Sequence, residues 1–430
     1  MTSIRARTLR YLEKMKVKIY RGHEEIGASC IEVRTEKTRV VFDIGAEIEG
    51  VPAELPEDIK TVNAVFITHA HPDHFGLIHQ VSENVPVYCG ELTGDIIRIL
   101  TVFNTHYEKV ERSFCYFVDH EPIQIGDIQI TPYANDHSVP DSYAFLVEAD
   151  GKRLLISGDF RLHGRKAALM QIMMEKLAEP DALIVDGTCV GKEPYHSEGL
   201  SCANETEVEE AMFNVFQSEK LPAFVETSSI NVDRIVSAFK AAIRAKRLFV
   251  IDIYTAVILW VMNKKHGRNV PIHEWGNVRV LSRGDLSQRH RNITFANKEA
   301  LGLEEFWSTL FRINALHENN LKEKDLSRYV FKFRIEPLME ALSIEKASYI
   351  YSLWSGYMRS EFDKKGRYEK LKDSSQVIFH DIHTGGHAFQ EDLFRFIETI
   401  APKKLIPFHT NNPDGFPFAN AVIHQSEIEL

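Results

Sequence analysis

The sequence has few cysteines and no long apolar run. Its five cysteines are scattered through 430 residues, and no two of them form a Cys-x-x-Cys pair. This pattern argues against a disulfide framework and suits a reducing compartment, so we expect free thiols and a cytoplasmic protein. The longest uninterrupted apolar run, residues 256–262, is far shorter than the roughly 20 residues needed to cross a bilayer, so we expect no membrane association.

An excess of basic charge is also missing. The chain has 51 Lys and Arg against 61 Asp and Glu, which gives a formal net charge of −10. This balance argues against a surface that is basic throughout, as is common in nucleic-acid-binding proteins. Basic runs occur at residues 240–247, 264–268 and 283–291, and charge runs of this kind are usually solvated faces. Residues 1–15 have no apolar core or cleavage signal, and we predict a short N-terminal extension there.

The chain is, by contrast, rich in histidine, with 19 residues of this type. Histidine is the commonest metal ligand and the usual proton shuttle in proteins. The densest group is Thr68-His69-Ala70-His71-Pro72-Asp73-His74, directly after a short apolar run that predicts a buried strand. Side chains two residues apart in an extended segment point the same way, so His69 and His71 can hold one ion together. Asp73 and His74 lie just beyond and can hold a second ion, an arrangement typical of two-metal hydrolases.

The pattern of strands and helices predicts two domains. Strand-like runs dominate residues 16–190, with helices interposed, which indicates a layered α/β architecture. From about residue 191 strands and helices alternate as in βαβ units, and residues 296–343 look polar and helical. The C-terminal part then resembles the first part again. We therefore predict a discontinuous domain of residues 16–190 and 345–430, interrupted by an inserted α/β domain of residues 191–344.

The histidine string resembles the signature of the metallo-β-lactamase fold superfamily. Three further segments match the family in order: Phe42-Asp43-Ile44-Gly45, Asn135-Asp136-His137-Ser138 and Ser157-Gly158-Asp159-Phe160. The second half resembles the β-CASP branch, which includes ribonuclease J. There the matching features are a strand ending at Asp186, a partial Ser-Asn-x-x-Arg turn at residues 228–234, His383-Thr384-Gly385-Gly386-His387-Ala388 and Ile406-Pro407-Phe408-His409. The resemblance implies a four-layer αββα fold with an inserted β-CASP domain.

The resemblance also implies roles for individual residues. His69, His71 and His137 would bind one ion, Asp73, His74 and His409 the other, and Asp159 would bridge both. The expected cofactor is two zinc ions, with manganese as the alternative. Asp43 would orient a ligand histidine. Catalysis would involve Asp73, Asp186 and His387, the last as the proton donor to the leaving oxygen. His383, Thr384, Gly385 and Gly386 would bind a neighbouring phosphate of the substrate.

These roles favour a metal-dependent phosphodiester hydrolase. The most specific interpretation is a ribonuclease J-like nuclease that cleaves single-stranded RNA with a hydroxide held between two ions. The alternatives are a metallo-hydrolase of a small ester, lactone or phosphodiester, and a non-enzymatic scaffold. The expected partner is thus single-stranded RNA or another phosphodiester, and a homo-oligomer is compatible with the family.

Overall fold

A computed structural model describes residues 15–47, 54–192, 200–359, 362–422 and 424–430. The predicted N-terminal extension, apart from Met15, lies outside these residues. In the described part of the chain, the strands form three sheets. No helix in that part is long and apolar enough to cross a membrane.

The first sheet combines the N-terminal strands with the last strand of the chain. Its order is β21-β1-β2-β3-β4-β5-β6, antiparallel from β21 to β3 and parallel from β3 to β6. The strands are β1 (Lys16–Arg21), β2 (Cys30–Arg34), β3 (Arg39–Phe42), β4 (Ala64–Phe66), β5 (Val87–Cys89), β6 (Cys115–Tyr116) and β21 (Glu427–Glu429).

The second sheet faces the first across a shared apolar core. Its order is β20-β11-β10-β9-β8-β7, and it becomes parallel from β10 to β20. The strands are β7 (Ile123–Ile125), β8 (Ile128–Ala134), β9 (Tyr143–Ala149), β10 (Lys152–Ile156), β11 (Ala182–Asp186) and β20 (Lys404–Phe408). Phe42 and Phe66 from the first sheet meet Phe145 from the second at ring-centroid distances of 5.2 and 5.7 Å. Alternation of buried residues along these strands thus builds the centre of the sandwich.

Helices cover the outer faces of this sandwich. The α-helices of the described residues are α1 (Pro72–Phe75), α2 (Glu91–Phe103), α3 (Ala167–Lys176), α4 (Glu205–Ser218), α5 (Val232–Arg244), α6 (Ile253–Lys264), α7 (Gln288–Asn297), α8 (Glu304–Leu310), α9 (Ile335–Leu342), α10 (Arg367–Asp373) and α11 (Gln390–Ile400), and of these α4 to α10 belong to the inserted domain. The apolar face of α2 packs on the outside of the first sheet, and α3 and α11 pack on the outside of the second. The predicted four-layer αββα arrangement is therefore confirmed.

The third sheet belongs to the inserted domain and is parallel throughout. Its order is β12-β19-β18-β13-β17-β14-β15-β16. The strands are β12 (Leu200–Ser201), β13 (Ala223–Glu226), β14 (Leu248–Ile251), β15 (Val278–Arg283), β16 (Ala315–His317), β17 (Tyr329–Lys332), β18 (Ala347–Tyr351) and β19 (Val377–His383). Helices connect these strands, as parallel pairing requires.

The extent of the third sheet differs from the predicted boundary at residue 344. Strands β18 and β19 follow that boundary, yet β18 pairs with β13 and β19 pairs with β18, so the sheet continues to His383. The stretch 296–343, predicted to be helical, includes strands β16 and β17, because their short apolar runs pair at positions that local sequence does not reveal. The apolar run at 256–262 lies within α6 and is buried in the core.

Candidate metal centre and acid–histidine pair

The predicted metal ligands converge at the carboxyl ends of strands. They come from the segments after β4, β8, β10 and β20 and from helix α1, which starts at Pro72. Proline suits the first position of a helix because its missing N–H would have no partner there. This start turns Asp73 and His74 away from the direction taken by His69 and His71. The residues brought together are His69, His71, Asp73, His74, His137, Asp159 and His409.

One group of ligands consists of His69, His71, His137 and Asp159. The Nδ1 atom of His71 lies 3.0 Å from Nε2 of His69 and 3.1 Å from Nε2 of His137. Oδ2 of Asp159 lies 3.7 Å from Nε2 of His69 and 4.0 Å from Nε2 of His137. Four potential ligand atoms therefore surround a single position, and all lie within 4.8 Å of one another.

A second group consists of Asp73, His74 and His409. Oδ2 of Asp73 lies 3.3 Å from Nε2 of His409 and 3.8 Å from Nε2 of His74. Oδ2 of Asp159 is also 3.2 Å from Nε2 of His74 and 4.0 Å from Nε2 of His409. The same carboxylate oxygen thus faces both groups, which is the position that a bridging ligand requires.

The chemistry of these side chains fits divalent cations. Burial lowers the pKa of His71 to about 4 and holds the pKa values of His69 and His137 well below the usual range, so these rings are neutral and able to donate a lone pair. Nε2 of His74 is buried, and its contact with Oδ2 of Asp159 at 3.2 Å is not aligned as a hydrogen bond. A buried nitrogen of this kind is costly unless an ion or another group meets it. Nitrogen and carboxylate donors together are typical of zinc and manganese sites.

Hydrogen bonds behind the ligands fix their orientation. Nδ1 of His74 lies 2.7 Å from Oδ2 of Asp43. Oδ1 of Asp43 accepts from the backbone N–H of Thr68, and Oδ2 also accepts from the hydroxyl of Thr68. Asp43 lies after β3 in a left-handed conformation with φ of 59°. Nδ1 of His137 donates to the carbonyl oxygen of Gly386 at 2.7 Å. In both histidines this contact leaves Nε2 directed at the ligand cluster.

Thr188 plays the same part for His409, and sequence analysis missed it. Its hydroxyl donates to Oδ1 of Asp186 at 2.6 Å, so it accepts from Nδ1 of His409 at 2.7 Å. The only signal in the sequence is that Thr188 follows two residues after the acid at the end of β11. It links the ligand His409 to the predicted acid–histidine pair.

Asp186 and His387 form a close pair beside the ligand cluster. Nδ1 of His387 lies 2.7 Å from Oδ2 of Asp186 and 3.8 Å from Oδ2 of Asp159. Burial opposes a charge on His387, but the carboxylates of Asp186 and Asp159 raise its pKa above the usual value. Ligand atoms of Asp159, Asp186, His387 and His409 also lie close enough together to hold a metal ion. However, both oxygens of Asp186 are occupied by Thr188 and His387, which favours a hydrogen-bonded pair.

The predicted phosphate-binding loop, 383–386, contacts both domains. The carbonyl of Thr384 accepts from Arg234, and the carbonyl of Gly385 accepts from Arg161 and His163. The ring of His383 lies 3.0 Å from Nη1 of Arg234. The structure therefore places His383 against an arginine and not in the ligand cluster. Phosphate binding by the amides of this loop stays a prediction.

A buried ionic cluster joins the two domains here, and sequence analysis did not predict it. Arg161 and Arg234 are fully buried, and both contact the carboxylate of Glu205. Arg161 also contacts Asp233 at 2.5 Å. The partial Ser-Asn-x-x-Arg match had pointed to Arg234, but nothing in the local sequence predicted its partners.

Several arginines of the first and third basic runs contact other parts of the inserted domain, whereas His266 of the second run lies 3.0 Å from Asp95 of α2. Arg244 pairs with Glu209 and Glu210, and Arg247 donates to the backbone of the turn at 219–221. In the third run, Arg291 donates to the carbonyls of residues 282 and 284. These side chains support the fold.

Comparison with known proteins agrees with this geometry. A family profile described as "Beta-lactamase superfamily domain" matches residues 38–250. "Ribonuclease J" of Helicobacter pylori (strain B128) is 22% identical over 408 residues, covering 90% of this chain and 55% of the relative. The chain belongs to the metallo-β-lactamase superfamily. Its likeness to ribonuclease J extends through the inserted domain, so the family resemblance read from the motifs is confirmed.

Two other comparisons show how far the similarity to known proteins extends along the chain. "RNase J-like protein" of Methanocaldococcus jannaschii is 31% identical over 183 residues, covering 40% of this chain and 42% of the relative. The chain spans about half the length of the curated relatives it matches. A solved structure of a protein of unknown function from Enterococcus faecalis V583 has a TM-score of 0.75 at 19% identity, covering 97% of this chain and all of that one. That structure shares the fold.

Proposed function

We propose that the protein is a metal-dependent phosphodiester hydrolase acting on single-stranded RNA. The observation that carries the proposal is the pair of Asp186 and His387, joined at 2.7 Å, beside a carboxylate shared by two groups of metal ligands. Cleavage of a phosphodiester bond requires a proton donor for the leaving oxygen as well as an activated water. The names of the ribonuclease J relatives support RNA as the substrate.

The residues of the pair have distinct tasks. Nδ1 of His387 donates to Asp186, so Nε2 is the atom that can hand a proton to the leaving oxygen. Asp186 keeps the ring oriented and favours its charged form, and Thr188 fixes the other oxygen of that carboxylate. Because His387 is only partly buried, its free nitrogen can meet a substrate in the cleft.

The seven candidate ligands would hold divalent metal ions at this position. Bound there, such ions would supply an acidified water as nucleophile and offset charge on the phosphoryl oxygens. The outer contacts with Asp43, Gly386 and Thr188 keep Nε2 of His74, His137 and His409 directed at the ligand cluster. Zinc is the proposed metal, with manganese as the alternative.

An exposed aromatic side chain suits an unpaired base. The ring of Tyr357 is 41% exposed and packs edge-on against Trp354 and Phe362 at 5.4 and 5.5 Å. Burial, and after it the charge of the candidate ligand Asp73, raise the pKa of its hydroxyl. Stacking on such a ring does not depend on base identity. We therefore assign Tyr357 to the path of the strand.

The test compares substrates and variants on metal-loaded protein. Fluorescently labelled single-stranded RNA, single-stranded DNA, a bis-aryl phosphodiester and a chromogenic carboxylate ester are incubated with zinc or manganese protein. The variant His387→Ala serves as the comparison, and bound metal is measured for both proteins. We expect RNA cleavage to fall by about 10²- to 10⁴-fold in the variant, with the metal content unchanged.

The alternative functions predict other results. Rapid ester cleavage without turnover of RNA, DNA or the bis-aryl phosphodiester would favour a small-ester or lactone hydrolase. If metal-loaded protein left every phosphodiester intact and the variant behaved identically, the proposal would be wrong.

A further inference from the structure

A second cavity, of about 490 Å³, lies within the inserted domain. None of the candidate metal ligands lines it. It opens at the carboxyl ends of β13, β14, β15 and β17, and the segments that follow these strands form its walls. Open parallel sheets bind ligands at this edge, where neighbouring loops diverge. The volume is in the range of pockets that take small molecules.

One side chain of the lining is a buried hydroxyl that lacks a partner. Thr227, directly after β13, is 7% exposed, and its Oγ1 has no hydrogen bond in the described structure. A buried hydroxyl without a partner is rare in native proteins because it has lost water and gained nothing. Since Thr227 lines the cavity, a polar ligand bound there would supply the missing partner.

One arginine of the lining forms no ion pair in the described residues. Glu226 shares Arg367 with Glu336, and Asp252 is paired with Lys332 at 3.3 Å. The remaining charged residue of the lining is Arg334, which is exposed at the cavity and precedes helix α9. The first turn of α9 carries Glu336 and includes Pro337, which has no N–H, so the cationic group at the mouth is the guanidinium of Arg334 and not the helix amides. The mouth of the cavity is therefore suited to an anion.

The inner walls of the cavity suit the planar, polar part of a ligand. His290 and Tyr254 form an aromatic wall, with ring centroids 6.4 Å apart, and both line the cavity. The carboxylate of Asp252 and the hydroxyl of Thr227 offer hydrogen bonds beside that wall. An aromatic surface next to polar groups matches a planar, nitrogen-rich ring, and the cationic mouth matches a phosphate.

We propose that this cavity is a binding site for a phosphorylated molecule of mononucleotide size. The site is separate from the metal centre, and the proposal does not depend on the nuclease function. Arg334 holds the phosphate, while the aromatic wall and Thr227 hold the rest of the molecule.

The test measures binding of AMP, adenosine and inorganic phosphate to the full-length, metal-loaded protein. Two variants address the cavity: Arg334→Gln removes the cationic group at the mouth, and Thr227→Val removes only the hydroxyl. Arg312→Gln, an exposed arginine of the same domain outside the lining, is the matched control. Hydrogen exchange with and without AMP then locates the protected segments.

We expect AMP to bind at least tenfold more tightly than adenosine or phosphate alone. Each cavity variant should weaken AMP binding by tenfold or more, and the control should bind as wild type does. Thr227→Val should also raise the melting temperature of the ligand-free protein, because it removes a hydroxyl without a partner. AMP should protect residues 226–229 and 332–338.

Two outcomes would overturn the proposal. If AMP bound with equal affinity to wild type and both cavity variants, it would be bound elsewhere, with the metal centre as the obvious place. If neither AMP nor phosphate bound, or if adenosine bound as tightly as AMP, the assignment of a phosphate to the mouth would be wrong.

Discussion

Replacing Glu205 by glutamine tests the ionic cluster that joins the two domains. The carboxylate accepts from Arg234 at 3.0 and 3.3 Å, from Arg161 at 3.3 Å and from the hydroxyl of Ser237 at 2.8 Å. Burial opposes the charge on Glu205, but the two arginines outweigh it and lower the pKa from 4.5 to about 2. That change corresponds to about 3 kcal/mol in favour of the folded, charged form.

The expected loss in Glu205→Gln is about 3–5 kcal/mol of the free energy of unfolding at neutral pH, since breaking a buried ion pair leaves its partner charge uncompensated. Asp233 still faces Arg161 in the variant, so the larger loss is at Arg234. Glu210→Gln is the matched control, because Glu210 lies on the same helix and is exposed. The control loses only an exposed ion pair with Arg244, so we expect a change of less than about 1 kcal/mol.

Urea unfolding, monitored by tryptophan fluorescence, measures the loss of stability in the inserted domain. All four tryptophans, at positions 260, 275, 307 and 354, lie between β12 and β19. Because the folded pKa of Glu205 is depressed, its contribution is complete above about pH 4.5 and is lost as the pH falls toward 2. The difference between wild type and Glu205→Gln should therefore shrink over that interval. Equal urea midpoints at pH 7 would refute the reasoning.

Three further predictions concern the candidate active site. His387→Gln should reduce the rate of RNA cleavage by about 10²-fold or more; a loss of bound metal in the same variant would assign His387 to the ligands instead. Asp159→Asn should lower the metal content below two ions per chain by elemental analysis, and full occupancy would contradict its bridging position. Tyr357→Ala should raise KM for single-stranded RNA about tenfold, as expected for one lost stacking contact, with kcat unchanged and with Tyr357→Phe close to wild type; an equal effect of both variants would exclude stacking.

The sequence predicts the αββα sandwich and the position of the ligand string well, because both depend on short-range patterns. Short apolar runs in the sequence predict strands β8 to β11. The close spacing of His69, His71, Asp73 and His74 predicts that these residues act together. The end of the inserted domain escaped prediction, because the pairing of β18 with β13 joins segments about 120 residues apart. The partners Glu205 and Asp233 of Arg161 also escaped prediction, since they come from the inserted domain.

The loop at 383–386 makes the two domains interdependent. Its Gly386 carbonyl holds the ligand His137, while its neighbours are held by Arg161 from the sandwich and Arg234 from the inserted domain. A substitution that shifts the inserted domain would therefore also turn a candidate metal ligand. Exchanging the inserted domain with that of a relative should lower metal binding unless the loop is exchanged with it.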